Sequence, residues 1–180
     1  MTSRRMRPDG PVACGFYETP WGAGLVAASE RLVEHIWLPD ERQELLSRFE
    51  AAFGPASCAT APPVLAAAVG QLERYFAGEP IIFDLPLNTA RLTPFQQRVA
   101  AAARAIPRGT VRTYGWLAAR AGSPAAFRAC GQVMAANCFP VVVPCHRVVA
   151  SGGRLGGFSA GLVWKERLLA LEGVTPGGAV

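Results

Sequence analysis

The stretch Asn137-Cys138-Phe139-Pro140-Val141-Val142-Val143-Pro144-Cys145-His146-Arg147-Val148-Val149 decides how the rest of the chain is read. A β-branched run between two prolines predicts an extended, buried segment that delivers Cys145 and His146 at its end. A thiol is inert until it becomes a thiolate, so a reactive cysteine needs a base or a positive charge nearby; His146 and Arg147 are the immediate candidates. Adjacent side chains on a strand point to opposite faces, so contact between Cys145 and His146 requires a turn or a bridging water. The expectation is the water.

Upstream of this stretch stands a clear helix start: Thr93 as N-cap, Pro94 at the first helical position and Gln96 completing a Thr-x-x-Gln capping box. That helix is expected to run to about Ile106, where Pro107-Arg108-Gly109 stops it. Thr113 starts a short helix ending at Gly122, and Ser123-Pro124 start another that reaches about Ala136. Helix, tight glycine turn, helix is the helix-turn-helix pattern. Its second helix offers only Arg128 and Gln132 to a base edge; otherwise it presents small residues such as Ala125, Ala126, Ala129, Gly131 and Ala135. A slim helix of this kind can approach sugar-phosphate walls without sequence preference, in a groove too narrow for bulkier side chains. The same alanines would equally suit a packed helix pair.

The first half reads differently. Val12 to Glu18, Gly24 to Ser29 and Leu32 to Leu38 are expected as short strands of an antiparallel sheet, separated by Pro-Trp-Gly and Glu-Arg turn signals. Pro39 and Asp40 open a helical pattern through Phe53, and Pro62-Pro63 open another, with Leu65, Val69, Leu72 and Phe76 as its apolar stripe ending at Gly78. Ile81 to Leu87 is expected to add a strand, and Asn88 to Leu92 reads as a linker. The class is α+β, with domains at 1–91 and 92–180.

Composition bounds the function. The 180 residues are 51% hydrophobic and 17% charged, which supports a sizeable core and excludes disorder, collagen and a coiled coil. No apolar run approaches the roughly 20 residues of a membrane span, and no apolar stretch follows Arg4-Arg5, so the expected compartment is the cytoplasm. The net charge of +5 hides an asymmetry: residues 1–90 carry seven Arg against eleven acids, or −4, whereas residues 91–180 carry ten Arg and Lys165 against Glu166 and Glu172, or +9. A polyanion would bind the basic half, although arginine-rich composition alone does not require one. The five cysteines, Cys14, Cys58, Cys130, Cys138 and Cys145, form no CxxC pair, which speaks against a disulfide framework or zinc knuckle. A zinc set of Cys14, His35 and Cys58 lacks an obvious fourth ligand, so neither a metal nor a cofactor is expected.

Pro144-Cys145-His146-Arg147-Val148-Val149, preceded by the helix-turn-helix and followed by a Gly/Ser loop and Leu168-Leu169-Ala170-Leu171-Glu172-Gly173, closely resembles the O6-alkylguanine-DNA alkyltransferase family. The members are also called methylated-DNA-protein-cysteine methyltransferases, and the likeness is strong from about Leu92 to Val174. The first half resembles the family's variable ribonuclease-H-like domain in general character, through segments such as Glu18-Thr19-Pro20-Trp21-Gly22. The resemblance implies an N-terminal ribonuclease-H-like α/β domain and a mainly helical, winged-helix-like C-terminal domain. It also implies double-stranded DNA carrying O6-alkylguanine, and more weakly O4-alkylthymine, as partner, bound through the minor groove by a monomer without sequence specificity.

By the same resemblance Cys145 accepts the alkyl group, His146 deprotonates it through a water, Glu172 polarises His146, and Tyr114 supplies a proton to the leaving base. Arg128 would be the finger that fills the gap left by a flipped nucleotide, flanked by Ala129 and Gln132 on the DNA-binding helix. Ser159 and Phe158 of the Gly152 to Gly161 loop, with Leu155 and Gly156 as one wall, Met134 on the other face of the base and the carbonyls of Cys145 and Val148, would form the pocket. Asn137 would be the hinge between helix and active-site segment. Three positions depart from the family's habit: Cys138 where a proline is common, Phe158 for a frequent tyrosine, and Ala100 for a frequent tryptophan. Two rival readings stay open: a non-catalytic lesion-binding module and a Cys-His hydrolase of a small substrate.

Overall fold

The computed structural model describes residues 10–55 and 61–175. It divides into two compact units, Met1–Arg91 and Leu92–Val180. In the first, β1 (Ala13–Thr19), β2 (Gly22–Ala28) and β3 (Val33–Trp37) form an antiparallel sheet in the order β1-β2-β3. The sheet is sandwiched because its alternating faces are both apolar. Cys14, Phe16, Leu25, Ala27 and Trp37 share a cluster with Leu45 and Phe49 of α1 (Arg42–Phe53). On the opposite face Tyr17 stacks on Phe76 of α2 (Pro63–Phe76) at 5.6 Å and lies over Gly24, where any side chain would collide with its ring.

The expected strand over Ile81 to Leu87 does not form. Its burial alternates as an edge strand's would, yet only a parallel bridge between Val33 and Leu87 is made. Pro86 has no N–H to extend a ladder, and the Asp84 N–H is taken by the Gln71 side chain instead.

In the second unit α3 (Pro94–Arg104) begins at the predicted capping box: Thr93 Oγ1 accepts from Gln96 N at 3.3 Å and Gln96 Oε1 accepts from Thr93 N at 2.8 Å. Thr113 caps α4 (Tyr114–Arg120) by accepting from Trp116 N. α4 ends in a Schellman turn, with Ser123 N bonded to Ala118 O and Gly122 N to Ala119 O, which requires the left-handed φ of 74° at Gly122. Ser123 is consumed by that turn. The following helix α5 (Phe127–Ala135) therefore starts three residues later than Pro124 suggests, after a turn closed by Ala126 N to Ser123 O.

The segment between the two prolines is buried as expected but is not extended. Val143 N bonds Phe139 O at 2.8 Å, coiling Pro140 to Val143 into a turn, and Val141 takes φ 73°. A β-branched residue in that region costs about 1–3 kcal/mol, which the surrounding packing must hold in place. Cys145–Arg147 then form one 3-10 turn, and β5 (Val148–Val149) pairs in parallel with β4 (Arg112–Thr113). The loop from Ser151 leads to α6 (Leu162–Leu171), which buries Lys165, Leu168 and Leu169. Among the described residues no helix is long and apolar enough to cross a membrane.

Candidate functional site

The β4–β5 pairing, Arg112 with Val148 and Thr113 with Val149, brings the start of α4 beside the end of the cysteine turn. That is how Tyr114 and Cys145, far apart in the chain, come to line one pocket of about 430 Å³. The α5 wall is Gly131, Met134 and Ala135, and the loop wall is Gly157, Phe158 and Ser159. Of the expected pocket residues, Cys145, Tyr114, Met134, Phe158 and Ser159 are thus brought together.

Val148, Leu155 and Gly156 are not among those lining residues. Val148 is fully buried, and its carbonyl accepts from Lys165 Nζ at 2.6 Å, which occupies one of that oxygen's two lone pairs. The Leu155 carbonyl accepts from the same ammonium. Gly156 sits behind Tyr114: a Cβ there would meet the ring at 3.4 Å. The carbonyl of Cys145 accepts from Val148 N. Arg128 and Gln132 are exposed on α5, with Ala129 partly so, while Ala100 is buried within α3.

Asn137 follows α5 and binds the turn from three sides. Its Nδ2 donates to Val143 O at 2.8 Å and to Cys145 Sγ at 3.1 Å, and its Oδ1 accepts from Phe139 N at 3.0 Å. Behind the thiol, His146 Nε2 meets Glu172 Oε1 at 2.9 Å with both side chains fully buried. Arg147 does not turn toward Cys145. It grips Glu172 with Nε on Oε2 at 2.9 Å and Nη2 on Oε1 at 2.8 Å, and gives Nη1 to Ile106 O. Gly109 N adds a bond to Glu172 Oε2 at 3.3 Å. Glu172 reaches this position because α6 ends there in a second Schellman turn, with Gly173 at φ 79° and Val174 N on Leu169 O.

These contacts set the charges. Burial alone would raise the Glu172 carboxyl, but the hydrogen bonds and charges of His146 and Arg147 outweigh it and hold the group well below the usual carboxylate range. Burial pushes the Cys145 thiol up, opposed by Asn137, Lys165 and nearby backbone N–H groups. Burial pushes His146 down, opposed by Glu172. The resting pair is therefore a neutral thiol beside a neutral imidazole, whose Nε2 carries the proton toward Glu172. Burial, and then Cys145, raise the Tyr114 hydroxyl, keeping it a proton donor.

Lys165 escaped the sequence reading. It is the chain's one lysine among seventeen arginines, fully buried, and its ammonium joins β5 to the loop that follows it through the Val148 and Leu155 carbonyls. Burial pushes it down to about 8, against the opposing pull of Cys145. Its singularity was the available signal: a compact, three-donor ammonium suits two converging carbonyls where a planar guanidinium does not.

In the first unit, Cys14 and His35 both pair with Ala27, and His35 stacks on Trp37 with burial lowering it to about 4. Cys58, the third member of the conceivable zinc set, lies outside the described residues. Among the described residues no three His, Cys, Asp or Glu side chains gather to hold a metal.

Fold and site together define a two-unit protein whose basic, helix-turn-helix unit carries a buried cysteine in an open pocket. Residues 94–174 match the 6-O-methylguanine DNA methyltransferase DNA binding domain, and residues 12–89 match that enzyme's ribonuclease-like domain. The methylated-DNA–protein-cysteine methyltransferase of Mycobacterium leprae is 35% identical over 163 residues, 89% of this chain and 92% of the relative. The constitutive Bacillus subtilis enzyme of that name is 40% identical, over 79% of this chain and 83% of its own. The crystal structure of Mycobacterium tuberculosis O6-methylguanine methyltransferase superposes with a TM-score of 0.72 at 36% identity, covering 89% of this chain and 92% of that one. A structure of the same organism's OGT in complex with DNA gives 0.71 at 33%, with the same coverage. The chain belongs to the methylated-DNA–protein-cysteine methyltransferase family.

Proposed function

We propose that this protein repairs DNA by direct reversal, moving the alkyl group of O6-alkylguanine, and more slowly of O4-alkylthymine, onto Cys145 Sγ once per molecule. The carrying observation is a buried thiol lining an open pocket, with a buried His146–Glu172 pair beside it in the chain. In the transfer the S–C bond forms as the C–O6 bond breaks, and the guanine keeps the bonding electron pair. The proton given up by Cys145 passes through a water to His146, and Tyr114 gives one to the departing base, so the charges balance. A thioether has no good leaving group, which makes the transfer irreversible.

Asn137 and Lys165 act here as positioning residues, the first on the thiol and the second on the loop that carries Phe158 and Ser159. Met134 packs on one face of the base and Ser159 bonds near O6. The slim exposed face of α5 enters the minor groove of DNA without reading sequence, and Arg128, with Ala129 and Gln132 alongside, fills the place of the flipped nucleotide. Residues 92–180 thus bind DNA and accept the alkyl group, residues 1–91 serve as scaffold, and a monomer working in the cytoplasm suffices. Lesion binding without transfer is disfavoured by the presence of the thiol itself.

The test is titration of the protein against excess duplex carrying one O6-methylguanine, followed by intact mass and peptide mapping. One gain of about 14 Da per chain, on Cys145, is the expected result, H being replaced by CH3. Tight binding with no mass gain would make the protein a damage sensor, and repeated turnover would make it a hydrolase.

A neutral thiol–imidazole pair also predicts the pH profile. His146 is pushed down and Cys145 up, so their ionisations lie apart. The single-turnover rate is expected to stay flat through neutral pH, to fall only below the ordinary imidazole range as His146 protonates, and to rise above the ordinary thiol range. Rapid-quench measurements across pH check this; a rate that climbs steadily through neutrality would indicate direct thiolate titration without His146.

A further inference from the structure

Among the large apolar side chains that stand exposed in the described residues, only Phe127 is aromatic; the others are Ile82, Leu162 and Val163. It opens α5 and is 47% exposed. At 3.6 residues per turn, Gly131 and Met134 fall within about 40° of Phe127 around the helix, and Gly131 stands about 6 Å further along it. Both line the pocket that holds Cys145, so the helix face that forms the pocket wall runs out onto the Phe127 ring. The Arg128 guanidinium lies 5.6 Å from the centre of that ring. A flat apolar surface and a cation thus stand side by side about one helical turn before the pocket wall, in the half of the chain that carries +9.

We propose that Phe127 is a second DNA-engaging residue, stacking on the base next to the vacated position when the lesion base enters the pocket and Arg128 fills the gap. Every base offers a π-face, so such a contact holds the opened duplex without adding sequence preference. The inference rests on the repair reading given above, because it needs a lesion base in the Cys145 pocket. The occupant is duplex DNA: the surface is continuous with the pocket, and its charge complements phosphate.

The experiment compares alkyl-transfer rates from O6-methylguanine in duplex and from the free O6-methylguanine base, for the wild type, Phe127→Ala, Phe127→Trp, Arg128→Ala and the Phe127→Ala/Arg128→Ala double variant. Phe127→Ala is expected to lower the duplex-to-free-base ratio about tenfold, as loss of one stacked base would, and to do so in both Arg128 backgrounds. Phe127→Trp restores the ratio to within about twofold. An unchanged ratio in Phe127→Ala overturns the proposal, as does a loss that vanishes in the Arg128→Ala background, where Phe127 would be only a brace for Arg128. A wild type that takes alkyl from neither substrate overturns the repair reading itself, and the inference with it.

Discussion

Cys145→Ala is expected to abolish alkyl uptake, with a loss of about a thousandfold or more and no mass gain on any other cysteine, while the variant still holds the lesion duplex. Cys145 is the cysteine that lines the pocket, and removing a nucleophile leaves nothing for the base and acid to act upon. The result is interpretable because the fold survives. Asn137 Nδ2 keeps one of its two bonds, that to Val143 O, when the sulfur goes, and the N–H released belongs to a half-buried side chain. The loss of one buried sulfur costs about 1–2 kcal/mol, read as a modest drop in thermal midpoint. Cys138 is the control. It is partly exposed and bonds Ala136 O, and Cys138→Ala is expected to transfer like the wild type.

Glu172→Gln is expected to damage stability and chemistry together. All four hydrogen bonds described at the carboxylate come from donors, His146 Nε2, Arg147 Nε and Nη2, and Gly109 N. An amide replaces one acceptor oxygen by an NH2 facing another donor, and it leaves the buried Arg147 charge unpaired. Breaking a buried pair in this way costs about 3–5 kcal/mol, measurable by urea denaturation. His146 loses the partner that fixes its tautomer and orientation, and transfer is expected to slow by roughly 10²–10⁴ in single-turnover assays.

The pH dependence has a definite sign. Because the folded protein holds Glu172 below the usual carboxylate range, its contribution is present above that range and disappears as pH falls through the depressed value. The wild type should therefore lose stability on acidification more steeply than the variant. Equal slopes would mean that the carboxylate is not the ionised partner of Arg147.

Much of this is legible in the sequence. The capping box at Thr93, the cap at Thr113 and the glycine stop at Gly122 are signals carried by residues a few positions apart. Such local chemistry reads directly from the chain. The motif around Cys145 and the Leu-Glu-Gly end of α6 named the thiol, imidazole and carboxylate, and the structure places the last two in contact. The failures share a cause. Three valines favour a strand on propensity, but Val141 sits at φ 73° because the packed turn holds it there. Ser123-Pro124 look like a helix start, but Ser123 is spent on closing the helix before it.

The sequence by itself determined the class of fold, the helix boundaries set by local caps, the basic character of the second half, and the residue types of the chemistry. Only the tertiary structure decided that Arg147 serves Glu172 and not Cys145, that Lys165 joins two carbonyls, and that the ring of Phe127 stands on the pocket's own helix face. Those partnerships span separations such as the 25 residues between Arg147 and Glu172 and the 17 between Lys165 and Val148. No local rule links such residues; they meet because burying apolar faces brings their elements together, and a buried charge must then find its partner there.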